Sequence, residues 1–183
     1  MATVFPGTTI EVSGLTRGSS RTLFGGIFAA GGITLSQVSI MTGLEPYVIQ
    51  NWVKRGFVSS PVKKVYSKEQ FARIVIINML RETLHIEKIC ELIKIIGGDP
   101  RDVSDDLIKD DELYHLYVDM ISESGISIND EESVMNAAQA ATLDFASNSP
   151  AAKKQLVGIL RIMLYAHSAS ELKKTADEIF SAL

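Results

Sequence analysis

The sequence predicts a mainly α-helical protein: a helix-turn-helix module with a small β wing, followed by an all-helical module. Three observations predict it. Capping boxes at Thr34-Leu35-Ser36-Gln37 and Ser67-Lys68-Glu69-Gln70 mark helix starts in the middle of the chain. About three residues around Gly43 separate the first two helices of that region, the helix-turn-helix layout. From Asp110 onward, apolar residues recur at helical spacing almost to the end of the chain.

The chain has 183 residues, enough for one large domain or two small ones. Residues 1–32 are rich in Gly, Ser and Thr without a sustained period, and are expected to form a loosely ordered arm pinned at its end by Phe24, Ile27 and Phe28. Residues 33–98 form the expected winged helix-turn-helix, and the break Gly97-Gly98-Asp99-Pro100 separates it from a helical module over 99–183.

In the central module, Thr34 caps the first helix, with Ile33 and Val38 at the staple positions, and the helix ends at Gly43. Glu45-Pro46 opens the second helix with proline at N1, where its missing N–H is not needed, and Gly56 follows the end near Arg55. Val48, Ile49, Trp52 and Val53 form its packing face. Phe57-Val58 and Val62–Tyr66 are β-prone pieces around the turn Ser59-Ser60-Pro61, so a small hairpin wing carrying Lys63 and Lys64 is expected. Ser67 caps a strongly apolar helix, with Tyr66 and Phe71 as its staple, and another runs from about Ile86 to Ile96.

The last module begins with a helix over Asp110–Glu123. Asn129 is placed to cap an alanine-rich helix, with Glu132 at N3. A third helix follows Ser149-Pro150, and Ser168–Glu171 reads as a capping box opening a final helix with Leu172, Ala176, Ile179 and Phe180.

The segment ITLSQVSIMTGLEPYVIQNWVKRGFV, its wing, and VYSKEQFARIVIINMLRETLHIEKICELI together resemble the MerR-type winged helix-turn-helix. The shared landmarks are Leu35, Val38, Thr42-Gly43-Leu44, Pro46, Gly56 and Tyr66-Ser67. More narrowly, VIQNWVKRGFVSSPVKKVYSKEQ resembles an uncharacterised bacterial family of MerR-like regulators known only as a domain of unknown function. The resemblance implies the fold and binding to double-stranded DNA. MerR members carry an arginine and paired tyrosines where this chain has Gln50, Asn51 and Trp52, and the long coiled-coil helix and cysteine-rich metal loop are missing, so the resemblance does not imply MerR effector chemistry.

In such a fold the second helix faces base edges, and flanking cations hold phosphates. Tyr47, Gln50 and Asn51 are therefore the candidate base or backbone contacts; Asn and Gln pair with adenine N6/N7. Lys54, Arg55, Lys63 and Lys64 form a candidate phosphate clamp. Thr34 and Ser36 lie at a helix N-terminus, whose free N–H groups attract phosphate. Trp52 reads as core because of its apolar neighbours, and Cys90 reads as core because it falls beside Ile89 in an apolar helix and has no cysteine partner.

Charge supports the division of labour. Within the net −4, residues 1–32 carry +1, residues 33–96 carry +4 and residues 97–183 carry −9. The acidic run Asp105, Asp106, Asp110, Asp111, Glu112 reads as a solvated linker and helix start. His85, His115 and His167 show no metal-ligand spacing, and no catalytic or cofactor motif is present, so neither an enzyme nor a cofactor is expected. A single cysteine, no apolar run near ~20 residues, and no basic residue before Arg17 point to a cytoplasmic protein without a membrane span.

The expected protein is a transcription regulator, a homodimer on a palindromic site, with room for an effector in the C-terminal module. The alternative is an adaptor or anti-regulator that reuses the fold for protein contacts, a reading favoured by the acidic net charge.

Overall fold

A computed structural model of the chain describes residues 3–97, 107–123, 125–145 and 150–183. Among them are eight helices and four two-residue strands. In order these are β1 (Thr3–Val4), β2 (Glu11–Val12), α1 (Ser19–Ile27), β3 (Ile33–Thr34), α2 (Leu35–Thr42), α3 (Pro46–Lys54), β4 (Val65–Tyr66), α4 (Lys68–Leu80), α5 (Ile86–Gly97), α6 (Asp110–Ser122), α7 (Glu131–Ala141) and α8 (Pro150–Ser181). β1 pairs with β2 and β3 with β4, both antiparallel.

The central apolar sequence dictates the centre of the fold. In α4 the residues Phe71, Ala72, Ile74, Val75, Ile76, Ile77, Met79 and Leu80 are all buried. A helix apolar around most of its circumference must be wrapped on several sides. α6 and α8 pack against it from the C-terminal part, and α2 and α5 from the central part. The two expected modules therefore share one continuous core rather than owning one each. The Gly97-Gly98-Asp99-Pro100 break lies, from residue 98 on, outside the described residues.

Residues 1–32 are not a loose arm. From Thr3 they form the β1–β2 hairpin and α1, and both are anchored in the core. Phe5 and Phe24 are buried; Phe24 stacks on Tyr114 at 5.5 Å between ring centroids and meets Phe71 at 5.4 Å. Gly7, at φ +72°, lies so close to α4 that a Cβ would collide with the Val75 carbonyl, and Asn78 Nδ2 donates to the Gly7 carbonyl at 2.9 Å. The N-terminus of α1 takes its cap from a distant residue: Asp119 accepts from the Gly18 N–H at 2.7 Å and from Arg21 at 2.6 Å.

Two further boundaries differ from expectation. The cap of α7 is Asp130, which accepts from the Glu132 N–H, and not Asn129. The two helices expected after residue 150 are one 32-residue helix, α8. Ser168 is no start, because neither Gly nor Pro interrupts the chain between Ile159 and Leu183.

Candidate nucleic-acid interface

The nine candidate residues lie on three adjoining pieces of chain, and all are solvent-exposed. The first piece is the start of α2. Thr34 Oγ1 accepts from the Gln37 N–H at 3.4 Å, and Gln37 Oε1 accepts from the Thr34 N–H at 2.8 Å. The capping box is therefore complete, with Ile33 and Val38 both buried beneath it. Ser36 sits in the first turn of the same helix.

The second piece is the hairpin, and it is built differently from the expected one. Residues 57–58 do not pair with 62–66. Val62 bridges Val65 across the two residues Lys63 and Lys64, with the Val65 N–H donating to the Val62 carbonyl at 2.9 Å. Val65 and Tyr66 then pair with Thr34 and Ile33. The expected turn at Ser59-Ser60-Pro61 is instead a connection clamped from α4: Gln70 Nε2 donates to the Ser59 carbonyl at 2.9 Å, the Ser59 hydroxyl at 3.0 Å and the Ser60 carbonyl at 3.1 Å.

This pairing has a consequence for the site. The register Thr34↔Val65 sets the lysine tip beside the N-terminus of α2. Lys63 and Lys64 both have positive φ, 51° and 65°, and are the only such non-glycine residues among those described. A two-residue turn with both centres left-handed suits the twist of a hairpin and ordinarily selects Asn-Gly. An L-side chain there costs about 1–2 kcal/mol per residue. The fold keeps two exposed lysines in that conformation.

The third piece is α3. Tyr47, Gln50, Asn51 and Lys54 are spaced by three, one and three residues, which puts them on one stripe opposite the buried Ile49 and Trp52. Trp52 is core, as its neighbours imply. Arg55 lies off this stripe, its guanidinium 4.6 Å from the Phe57 ring centroid. α2 and α3 pack on each other across the Gly43-Leu44-Glu45 connection, with Gly43 left-handed and Leu44 buried.

Charge separates the surfaces. The acidic run is not a solvated linker where it is described: Asp110 binds Arg73 at 2.8 and 3.3 Å, and Asp111, 1% exposed, binds Lys68 at 2.7 Å. Glu112 meets Arg21 at 3.1 Å. Asp105 and Asp106 lie outside the described residues. The Asp111 contact raises the Lys68 pKa. The start of α6 thus neutralises cations of α1 and α4. Lys54, Arg55, Lys63 and Lys64 enter no ion pair among the described residues, so their charge faces solvent.

Other groups fall elsewhere. Cys90 is half-buried on α5; burial pushes its thiol pKa up, partly opposed by Arg55, Lys94 and Arg73. His115 Nδ1 meets Ser20 Oγ at 2.9 Å, and His167 Nδ1 meets the Tyr117 hydroxyl at 2.7 Å. Asp111, Glu112 and His115 each offer a ligand atom within 4.8 Å of the others, but Lys68 and Arg21 already engage the two carboxylates. Sequence reasoning placed Gln70 at N3 of the capping box that opens α4, but missed that its Nε2 also clamps the approach to the lysine tip.

Residues 34–117 match the family model of a domain of unknown function, DUF1836. The match opens at the N-cap of α2 and closes inside α6, so the DUF1836 segment contains all three pieces of the site. It also takes in Asp110 and Asp111, the α6 partners of α4. No curated protein matches the chain, and no solved structure does.

Proposed function

We propose that the protein is a DNA-binding transcription regulator that uses α2 and α3 as a helix-turn-helix and the Val62–Val65 hairpin as a reduced wing. The observation that carries this reading is the strained lysine pair held beside the N-terminus of α2. Strained backbone held in a fold clusters at functional sites. Here the strain presents two cations with no ion pair among the described residues beside the positive end of a helix, a combination suited to adjacent phosphates. The stripe of Tyr47, Gln50, Asn51 and Lys54 is exposed along α3, as a groove-reading helix requires.

In this reading the protein acts as a homodimer on a palindromic site, because one small reader makes few base contacts. Two adjoining clefts of about 370 and 520 Å³ share Arg17, Leu116, Asp119 and Ala141, a place for an effector between α1, α6 and α7.

The test is binding to the chain's own upstream region between about 50 and about 200 mM salt. Expected is a specific complex whose affinity falls steeply with salt. Lys63→Glu with Lys64→Glu abolishes it, and Lys153→Glu with Lys154→Glu, the same charge change on α8, leaves it in place. A folded protein that binds no DNA at either salt overturns the proposal. It would favour the adaptor reading, which the net charge of −4 supports.

A further inference from the structure

A third cleft, of about 360 Å³, lies where the ends of α2 and α4 meet the outer half of α8. It shares no lining residue with the two clefts between α1, α6 and α7. Four stretches far apart in sequence build it: the Gly7-Thr8 turn between β1 and β2, Thr42, the end of α4 from Asn78 to Glu82, and α8 from His167 to Asp177. Met79 is the one large apolar side chain in its wall among the described residues. The cleft is therefore built for a polar occupant.

Its hydrogen-bonding groups are fixed but unfinished. The Tyr117 hydroxyl, fully buried, lies 2.7 Å from His167 Nδ1 and has no other partner among the described residues. Burial holds its pKa well above the usual tyrosine value, so it keeps its proton and donates it to Nδ1. Burial also lowers the His167 pKa, so the ring is neutral near pH 7 and carries its single proton on Nε2. Glu171 Oε1 stands 3.8 Å from that N–H, beyond hydrogen-bond reach, and is held by Lys174 at 2.6 Å. Ser170 lines the cleft at 4% exposure, and its hydroxyl makes no hydrogen bond among the described residues. Buried polar groups are ordinarily paired, so two donors left open side by side on α8 call for an acceptor from outside. Asn78 offers the complement. Its Nδ2 gives both hydrogens to the Gly7 and Thr42 carbonyls, at 2.9 and 3.0 Å, which leaves Oδ1 as an open acceptor.

Charge decides what kind of molecule fits. Three cations, Arg81, Lys173 and Lys174, and three carboxylates, Glu82, Glu171 and Asp177, line the cleft, so its wall is neutral but two-signed. A simple anion would face three carboxylates, and a simple cation three basic groups. We infer that this cleft binds a small zwitterion carrying a carboxylate and an ammonium group, the chemistry of a free α-amino acid. The carboxylate accepts from His167 Nε2–H, the Ser170 hydroxyl and the Arg81 guanidinium. The ammonium donates to Asn78 Oδ1 and Glu82. The cavity is of the size that small-molecule sites have. Thr42, the last residue of α2, is part of its wall, so an occupant abuts the helix pair.

The site stands on its own geometry and not on DNA binding, and its test contains no DNA. The full chain is melted with each common L-α-amino acid in turn, at up to about 10 mM. At least one is expected to raise Tm saturably by about 5 °C or more, as an occupant about a hundredfold above its Kd does. Acetate and methylammonium, which carry the two charges on separate molecules, leave Tm unchanged alone or together. Arg81→Ala, at an exposed position, and Ser170→Ala each weaken the response about tenfold or more. Nitrogen-15 spectra of the histidine rings show His167 protonated at Nε2, and the same amino acid shifts that signal while leaving the exposed His85 unmoved. A chain that no amino acid stabilises overturns the inference. So does a response that acetate reproduces, one that both variants keep, or a His167 signal that stays in place.

Discussion

Lys63 and Lys64 separate stability from function at the level of single residues. Their left-handed backbone is one that Asn-Gly adopts at lower cost. Replacing Lys63 by Asn and Lys64 by Gly is expected to stabilise the fold by about 1 kcal/mol, measured by denaturant titration. The same double variant loses up to two phosphate contacts per protomer. Its DNA affinity falls, and the slope of log affinity against log salt shrinks by about 0.9 per contact. A variant that gains stability and keeps the parental slope would show that the tip is merely strained. The exposed stripe of α3 was legible in the sequence because helical spacing alone separates Gln50 and Asn51 from Ile49 and Trp52. The strain was not, since nothing in a Lys-Lys pair announces positive φ.

Local chemistry marked the starts of α2 and α4 correctly, misplaced the cap of α7 by one residue and suggested a start at Ser168 that is absent, while elements held by distant contacts were not legible. The boxes at Thr34 and Ser67 are complete because each needs partners only three residues away. α1 was hidden: its Gly- and Ser-rich sequence has weak helix preference, and its cap, Asp119, lies 101 residues further on. The β3–β4 pairing was hidden for the same reason, two residues on each side being too short for a period. Gln70 joins both categories, since its Oε1 completes a local cap while its Nε2 holds Ser59 and Ser60. Gln70→Ala is expected to cost about 1–2 kcal/mol. It should also speed hydrogen exchange at Val65, whose N–H closes the lysine turn; unchanged exchange there would mean that the turn holds itself.

At the scale of the whole molecule, the shared core couples stability to pH. Burial lowers the pKa of His115, with Arg21 adding to the effect, and burial also lowers that of His167. The folded state therefore binds fewer protons at these sites than the unfolded chain. Their contribution to stability is complete above the ordinary histidine range, near 6.5, and is lost as pH falls below it toward the depressed folded values. The denaturation midpoint is expected to drop between about pH 7 and about pH 5. A His115→Gln, His167→Gln chain should show a shallower drop over the same interval, and a slope equal to the parent's would assign the loss to carboxylates instead.

The all-round burial of α4 also settles how the protein can be dissected. A recombinant fragment trimmed to 33–98 would keep α2, α3 and the hairpin, yet strip the helices that sheathe α4 on its far flank and leave Arg73 and Lys68 without their carboxylates. Such a piece would be sticky rather than autonomous. The same helix thus carries both the packing surface for α8 and, at Gln70, the clamp behind the lysine tip.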